Sequence, residues 1–180
     1  MRPRTSVFIA TSLDGFIARP DGAIDWLDEA NETITPGEDC GFAEFFATVD
    51  TLVMGRGTFE SVLHLPQWFY GDKPLVVLSQ SLTSLPEEAP ASVSLSSEGI
   101  EPLLERLASL GRKHLYIDGG KTIQSFLRAG LIDELTITRI PVLLGRGLPL
   151  FGDIESDVRL RLISSKSWDF GFVQDHYRVV

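Results

Sequence analysis

Apolar positions along this chain follow two rhythms that alternate. Short, nearly unbroken apolar runs occur at Ser6–Ser12 (SVFIATS), Thr51–Gly55 (TLVMG), Pro74–Ser79 (PLVVLS) and His114–Asp118 (HLYID). Runs of that length that stop at a glycine or a polar residue predict strands, and their lack of alternation predicts a parallel sheet covered on both faces. Between them the spacing turns helical. Phe42, Phe45, Phe46 and Val49 share a face, TFESVL follows from Thr58, and Ile123, Phe126 and Leu127 precede Gly130. Ile100, Leu103, Leu104, Leu107 and Leu110 form a further stripe, with Gly111 as its C-cap. Residues 134–144, ELTITRIPVLL, alternate for part of their length. The tail segments RLRLISSKSW and FVQDHYRVV predict an antiparallel pair joined near Asp169-Phe170-Gly171. The pattern predicts an α/β architecture: a central, mostly parallel sheet, flanking helices and an antiparallel C-terminal hairpin. The one linker candidate, Ser84 to Gly99, is too short to divide the chain, so residues 1–180 are expected to form a single domain.

Composition narrows the partners. The chain is 43% hydrophobic and 23% charged, which is globular rather than disordered. Its formal net charge is −9, so no basic footprint for nucleic acid or an anionic membrane surface is expected. A small anionic ligand stays possible, because a few local cations and helix ends suffice to bind one. The single cysteine, Cys40, excludes an internal disulfide, and His64, His114 and His176 fit no zinc-ligand spacing, so no metal is expected. Cys40 reads as a small core residue more readily than as a nucleophile. The apolar run before Asp14 is too brief for a signal peptide or a membrane span, and a cytoplasmic location is expected.

Candidate chemistry gathers where strands turn into helices. In VMGRGTFE, Gly55 and Gly57 bracket Arg56, and Thr58 stands where a helix should begin. In HLYIDGGKTIQSFL, Gly119, Gly120, Lys121 and Thr122 bridge a strand and a helix. Glycine turns let a ligand approach the backbone, while helix starts offer unpaired N–H groups and a partial positive charge. Ligand crevices of open α/β sheets lie beyond the carboxyl ends of the strands, where Leu78 and Ser79 also end a run. Three such ends suit an extended phosphorylated ligand such as a dinucleotide. The alternative is that each glycine pair is only a tight turn, since neither matches a Rossmann or P-loop motif. The segment Ser12–Leu27, SLDGFIARPDGAIDWL, reads as a long loop: either a functional lid, or two turns with Trp26 as a core anchor.

Four stretches, SLDGFIA, VMGRGTFES, IDGGKTIQSFL and DELTITRIPVLLGRGLPLF, lie in this order along nearly the whole chain. Together they resemble the dihydrofolate reductase superfamily, and more closely the reductase domain that ends the bifunctional riboflavin-biosynthesis deaminase-reductase. The resemblance implies a dihydrofolate reductase-like three-layer fold, NADPH as cofactor, a small heterocyclic substrate and a homodimer. It matches Gly55, Arg56, Gly57 and Thr58 to the loop holding the adenosine-side phosphates, and Leu78 and Ser79 to a second adenosine contact. It matches Gly119, Gly120, Lys121 and Thr122 to the loop at the pyrophosphate and nicotinamide half, and Ala10 and Ile17 to positions lining the nicotinamide. An additional 2′-phosphate calls for Arg or Lys beside it, and Arg56 is the best placed by sequence. Asp118 departs from the family, where dihydrofolate reductases tend to carry a third glycine. Beside a pyrophosphate its carboxylate must turn away, cap the helix or meet substrate. Asp39 is the candidate catalytic acid, with Glu38 and Glu44 as rivals; its other reading is as N-cap of GFAEFF. Asp14 reads as a turn residue. Arg146, between Gly145 and Gly147, is placed either to meet a substrate phosphate or in an ordinary loop. The nearest named activity is reduction of a ribosylaminouracil phosphate; dihydrofolate reduction and a non-catalytic nucleotide- or pterin-binding module are the alternatives.

Overall fold

The computed structural model describes residues 2–180. The elements in chain order are β1 (Arg4–Ser12), β2 (Phe16–Ala18), α1 (Asp25–Asn31), α2 (Phe42–Thr48), β3 (Thr51–Gly55), α3 (Arg56–Leu63), β4 (Leu75–Leu78), β5 (Val93–Ser96), α4 (Ile100–Ser109), β6 (His114–Asp118), α5 (Gly120–Arg128), β7 (Glu134–Ile140), β8 (Leu148–Pro149), β9 (Leu160–Ser167) and β10 (Val173–Val179). Eight strands form one sheet in the order β5-β4-β3-β6-β1-β7-β10-β9. The pairs from β5 through β7 are parallel, and β10 and β9 join antiparallel. The mostly parallel sheet and C-terminal hairpin expected from the sequence are therefore present. No helix among the described residues is long and apolar enough to cross a membrane.

Side-chain alternation along the central strands builds the two outer layers. Val53, Val76, Leu115, Ile117 and Leu135 face α4 and α5, meeting Leu103, Leu104, Leu107, Ile123, Phe126 and Leu127. Leu52, Met54, Leu75, Val77 and Tyr116 face the other way, toward Phe59 of α3 and the half-buried Phe42, Phe45 and Phe46 of α2. The near-continuous apolar runs are explained by this double coverage. The sequence stripe of α4 is one residue too long. The helix stops at Ser109, and Leu110 turns out to 62% exposure. Gly111 takes φ +76°, its N–H donates to Ala108 O, and the Arg112 N–H donates to Leu107 O. That paired closure satisfies the last carbonyls and ends the helix.

Two segments hold more structure than their sequence shows. Val93–Ser96, inside the linker candidate, is the edge strand β5, paired with β4 from Leu75↔Val93 to Leu78↔Ser96. The long loop after β1 contains β2, which pairs with β8, and the seven-residue α1, which buries Trp26 against Cys40, Ile140 and Phe172. Asp14 ties this loop down. Its Oδ1 accepts from Ser12 Oγ (2.6 Å) and the Leu144 N–H (3.1 Å), and its Oδ2 accepts from the Gly145 N–H (2.7 Å). These bonds, the one from Ser12 first, hold the Asp14 carboxyl below its ordinary pKa. A depressed carboxyl contributes stability above the unfolded-state pKa and loses it as pH falls. Asp14→Ala is accordingly expected to lower amide-exchange protection at Leu144 and Gly145 at neutral pH. The wild type should converge on the variant under acid conditions; unchanged protection in the variant at pH 7 would refute the tie.

Candidate functional site

Strands β4, β3 and β6 are neighbours, and their carboxyl ends meet along one edge: Leu78 pairs with Gly55, and Met54 with Asp118. Both bends from strand to helix have the same local sequence plan, Gly-x-x-Thr. Gly55-Arg56-Gly57-Thr58 opens α3, and Gly119-Gly120-Lys121-Thr122 opens α5. In space the two bends interlock. Gly119 has φ +86°, and a Cβ there would overlap Thr58 Oγ1. A Cβ on Gly55 would stand 3.0 Å from Thr122 Oγ1. Each threonine thus occupies the place that a side chain on the other bend's glycine would need. A Cβ on Gly120 would likewise stand 2.7 Å from Ile17 Cδ1 and 3.4 Å from Pro149 O. The room left by these glycines is filled first by the protein itself, so the bends are required for packing before any ligand arrives.

The outer rim of the same edge is suited to an anion. The N-caps of α3 and α5 are Gly55 and Gly119, and neither helix start has a side-chain cap. Their first-turn N–H groups therefore lack the acceptor that a Ser, Thr or Asp cap would give. Arg56 and Lys121 are both exposed at these starts. Arg56 Nε donates to Glu60 Oε1 at 2.6 Å, while Lys121 makes no ion pair among the described residues. Next along the edge, the Ser79 N–H donates to Ser96 O, and Ser79 Oγ accepts from the Leu82 N–H at 3.0 Å. Leu78 packs into the core shared with α4 and α5. Ala10, on β1 opposite Thr138, packs against the Trp26–Phe172 cluster, and Ile17, on β2, reaches Gly120. The structure thus brings Gly55–Thr58, Leu78–Ser79 and Gly119–Thr122 to one edge, with Ile17 against it. Arg146 is exposed on the loop before β8; the neighbouring Gly147 lies so close to Ala18 O that a Cβ would overlap it.

Asp118 also stands at this edge, a further candidate besides the acid favoured from sequence. Asp39 is exposed, and both its oxygens accept backbone N–H groups entering α2, from Gly41 (2.9 Å) and Ala43 (2.8 Å). Asp39 thus braces the entry to α2 from two residues ahead, while the N-cap position itself is Gly41. Glu38 is occupied by the Cys40 N–H and the Trp168 indole, each at 2.8 Å. Asp118 instead ends β6, half-buried, with its Oδ1 accepting the Gly119 N–H at 2.8 Å. Burial pushes its pKa up to about 6, the bond from Gly119 offsetting only part. Tyr70 and Tyr116 are raised as well, mainly by burial and secondarily by the Asp118 charge. A carboxyl that titrates near neutrality at the mouth of a sheet is a candidate proton carrier. The sequence signal for it was an apolar run ending in Asp at a strand's carboxyl end.

Known proteins of similar build place this edge in context. Residues 3–173 match the model of the RibD C-terminal domain. The chain is 40% identical to the uncharacterized protein YwjB of Bacillus subtilis, with 98% of each covered. It superposes at TM-score 0.91 on a Shewanella sp. PV-4 protein described as a candidate riboflavin-biosynthesis protein, 42% identical, covering all of this chain and 99% of that one. At 19% identity and TM-score 0.74 it shares the fold of the Thermotoga maritima diaminohydroxyphosphoribosylaminopyrimidine deaminase/5-amino-6-(5-phosphoribosylamino)uracil reductase, covering 99% of this chain and 57% of that one.

Proposed function

We propose a reductase, on the premise that this chain belongs to the RibD C-terminal domain family. In this reading the interlocked edge is the seat of NADPH. The substrate is a small nitrogen heterocycle or a ribosylaminopyrimidine, and the nearest named reaction is reduction of 5-amino-6-(5-phosphoribosylamino)uracil. The observation that carries the reading is the pair of helix starts without side-chain caps on adjacent parallel strands, each with a cation beside it.

The residues present fit a phosphorylated dinucleotide. Gly55–Thr58 would hold the adenosine-side phosphates, with Arg56 at the 2′-phosphate, and Leu78 and Ser79 would border the adenosine. Gly119–Thr122 would hold the pyrophosphate through backbone N–H groups, with Lys121 adding charge. Ala10 and Ile17 would border the nicotinamide. NADPH supplies a hydride when bound. The chain's share is to orient, to exclude water and to manage a proton. We assign the proton to Asp118: its Oδ1 is held by the Gly119 N–H, which leaves Oδ2 to carry the proton toward the substrate. A homodimer belongs to the proposal, supported by the wholly exposed edge strand β9, which presents Leu160, Leu162 and Ile163 to solvent.

Calorimetry tests the seat directly. The protein is expected to take up NADPH, and Arg56→Ala should weaken NADPH by about 1–3 kcal/mol, the worth of a charged hydrogen bond, while NADH binding changes little. Equal losses for both nucleotides would remove Arg56 from the 2′-phosphate. Uptake of neither by the wild type would end the reductase proposal.

A further inference from the structure

We propose that Glu60 sets how strongly the nucleotide seat prefers a phosphorylated over an unphosphorylated pyridine nucleotide, by holding a negative charge against Arg56. The inference rests on the reading above and adds a selectivity residue to it. Arg56 is the first residue of α3, and Glu60 lies one turn on, along the same helix face. Their contact, Nε to Oε1 at 2.6 Å, uses the inner nitrogen of the guanidinium. The two terminal nitrogens make no hydrogen bond among the described residues, so the fork that could grip a phosphate is available while Glu60 stays attached.

Helix stability does not account for this pair. A cation in the first turn opposes the helix dipole, and no acidic residue occupies the first turn of α3. An ion pair with the acid ahead of the base is the more favourable order, and here the order is reversed. Both side chains are also nearly half exposed, where such a pair adds little to stability. What the arrangement does accomplish is electrostatic. A 2′-phosphate on the fork of Arg56 lies within about a Debye length of the Glu60 carboxylate, so its two negative charges meet a third. A nucleotide without that phosphate meets a smaller cost, from its diphosphate alone. Lys121, the other cation of the seat, has no carboxylate partner among the described residues, so the tempering acts on Arg56.

Glu60→Gln isolates the charge, because the amide oxygen can still accept from Arg56 Nε. Titration calorimetry of the intact protein with NADPH and with NADH, at low and high salt, reads the effect. The variant is expected to bind NADPH roughly three- to tenfold more tightly at low salt, with the gain shrinking at high salt and NADH unchanged within about twofold. A wild-type protein that binds NADPH, with a variant whose NADPH-to-NADH ratio is unchanged or lower, overturns the role of Glu60 alone. A wild-type protein that binds neither nucleotide overturns the seat and this inference together.

Discussion

Asp118→Asn should nearly abolish turnover while making the protein more stable at neutral pH. A positioned acid contributes about 100- to 10,000-fold to a reaction that ends with a proton on the product, and an amide cannot donate one in its place. The amide keeps the shape and can still accept the Gly119 N–H, so the bend is preserved. Stability moves in the opposite direction. Burial raises the Asp118 carboxyl to about 6 from 3.8 in the unfolded chain, so the folded state binds the proton more tightly. Its contribution is complete below about pH 4 and is lost as pH rises through 6, amounting to about 3 kcal/mol at most. Asparagine has no charge to bury and escapes that loss. Melting curves should show the variant above the wild type near pH 7.5 and level with it near pH 4. A variant that turns over normally, or melts lower at neutral pH, would rule out Asp118 as a strained proton carrier.

Gly119→Ala should be the most damaging single-methyl change in the seat. At φ +86° and ψ 133° an L-residue is strained by about 1–3 kcal/mol, and the new methyl must also displace Thr58 Oγ1. Together these should cost about 2–4 kcal/mol, which in a domain of this size lowers the melting temperature by roughly 5–15 °C. Nucleotide affinity should fall as well, because the displaced Thr58 belongs to the opening turn of α3. Thr58→Ala in the same background should restore part of the loss. It removes the overlapping hydroxyl, but Thr58 Cβ, 3.1 Å from the new methyl, stays in place and the backbone strain persists. A Gly119→Ala protein that melts within about 2 °C of the wild type would show that the two bends do not press on one another.

Most of the architecture could be read from the chain because its central strands are covered on both faces, which leaves unbroken apolar runs. The elements that escaped have weaker signatures for physical reasons. β5 is an edge strand with serine at alternate positions, and its neighbours Pro90 and Gly99 read as linker. α1 buries only Trp26 and has no side-chain cap, so no stripe announces it. For the site, both Gly-x-x-Thr bends were legible, but their reciprocity was not. It depends on β3 and β6 lying side by side although α3, β4, β5 and α4 separate them along the chain. Asp39 was open between cap and acid in sequence, and only the structure shows that its oxygens accept the Gly41 and Ala43 N–H groups while Gly41 takes the N-cap position.

The mutual fit of Thr58 with Gly119 and of Thr122 with Gly55 also limits how this protein can diverge. A bulkier residue at Gly55 or Gly119 presses on the threonine of the opposite bend, and at Gly119 the backbone is strained besides, so changes at these two positions call for a matching change across the seam. Single substitutions have more freedom at Gly57, which faces open space, and at the solvent-facing charges above the bends, so under the proposed reading new ligand preferences should arise there first.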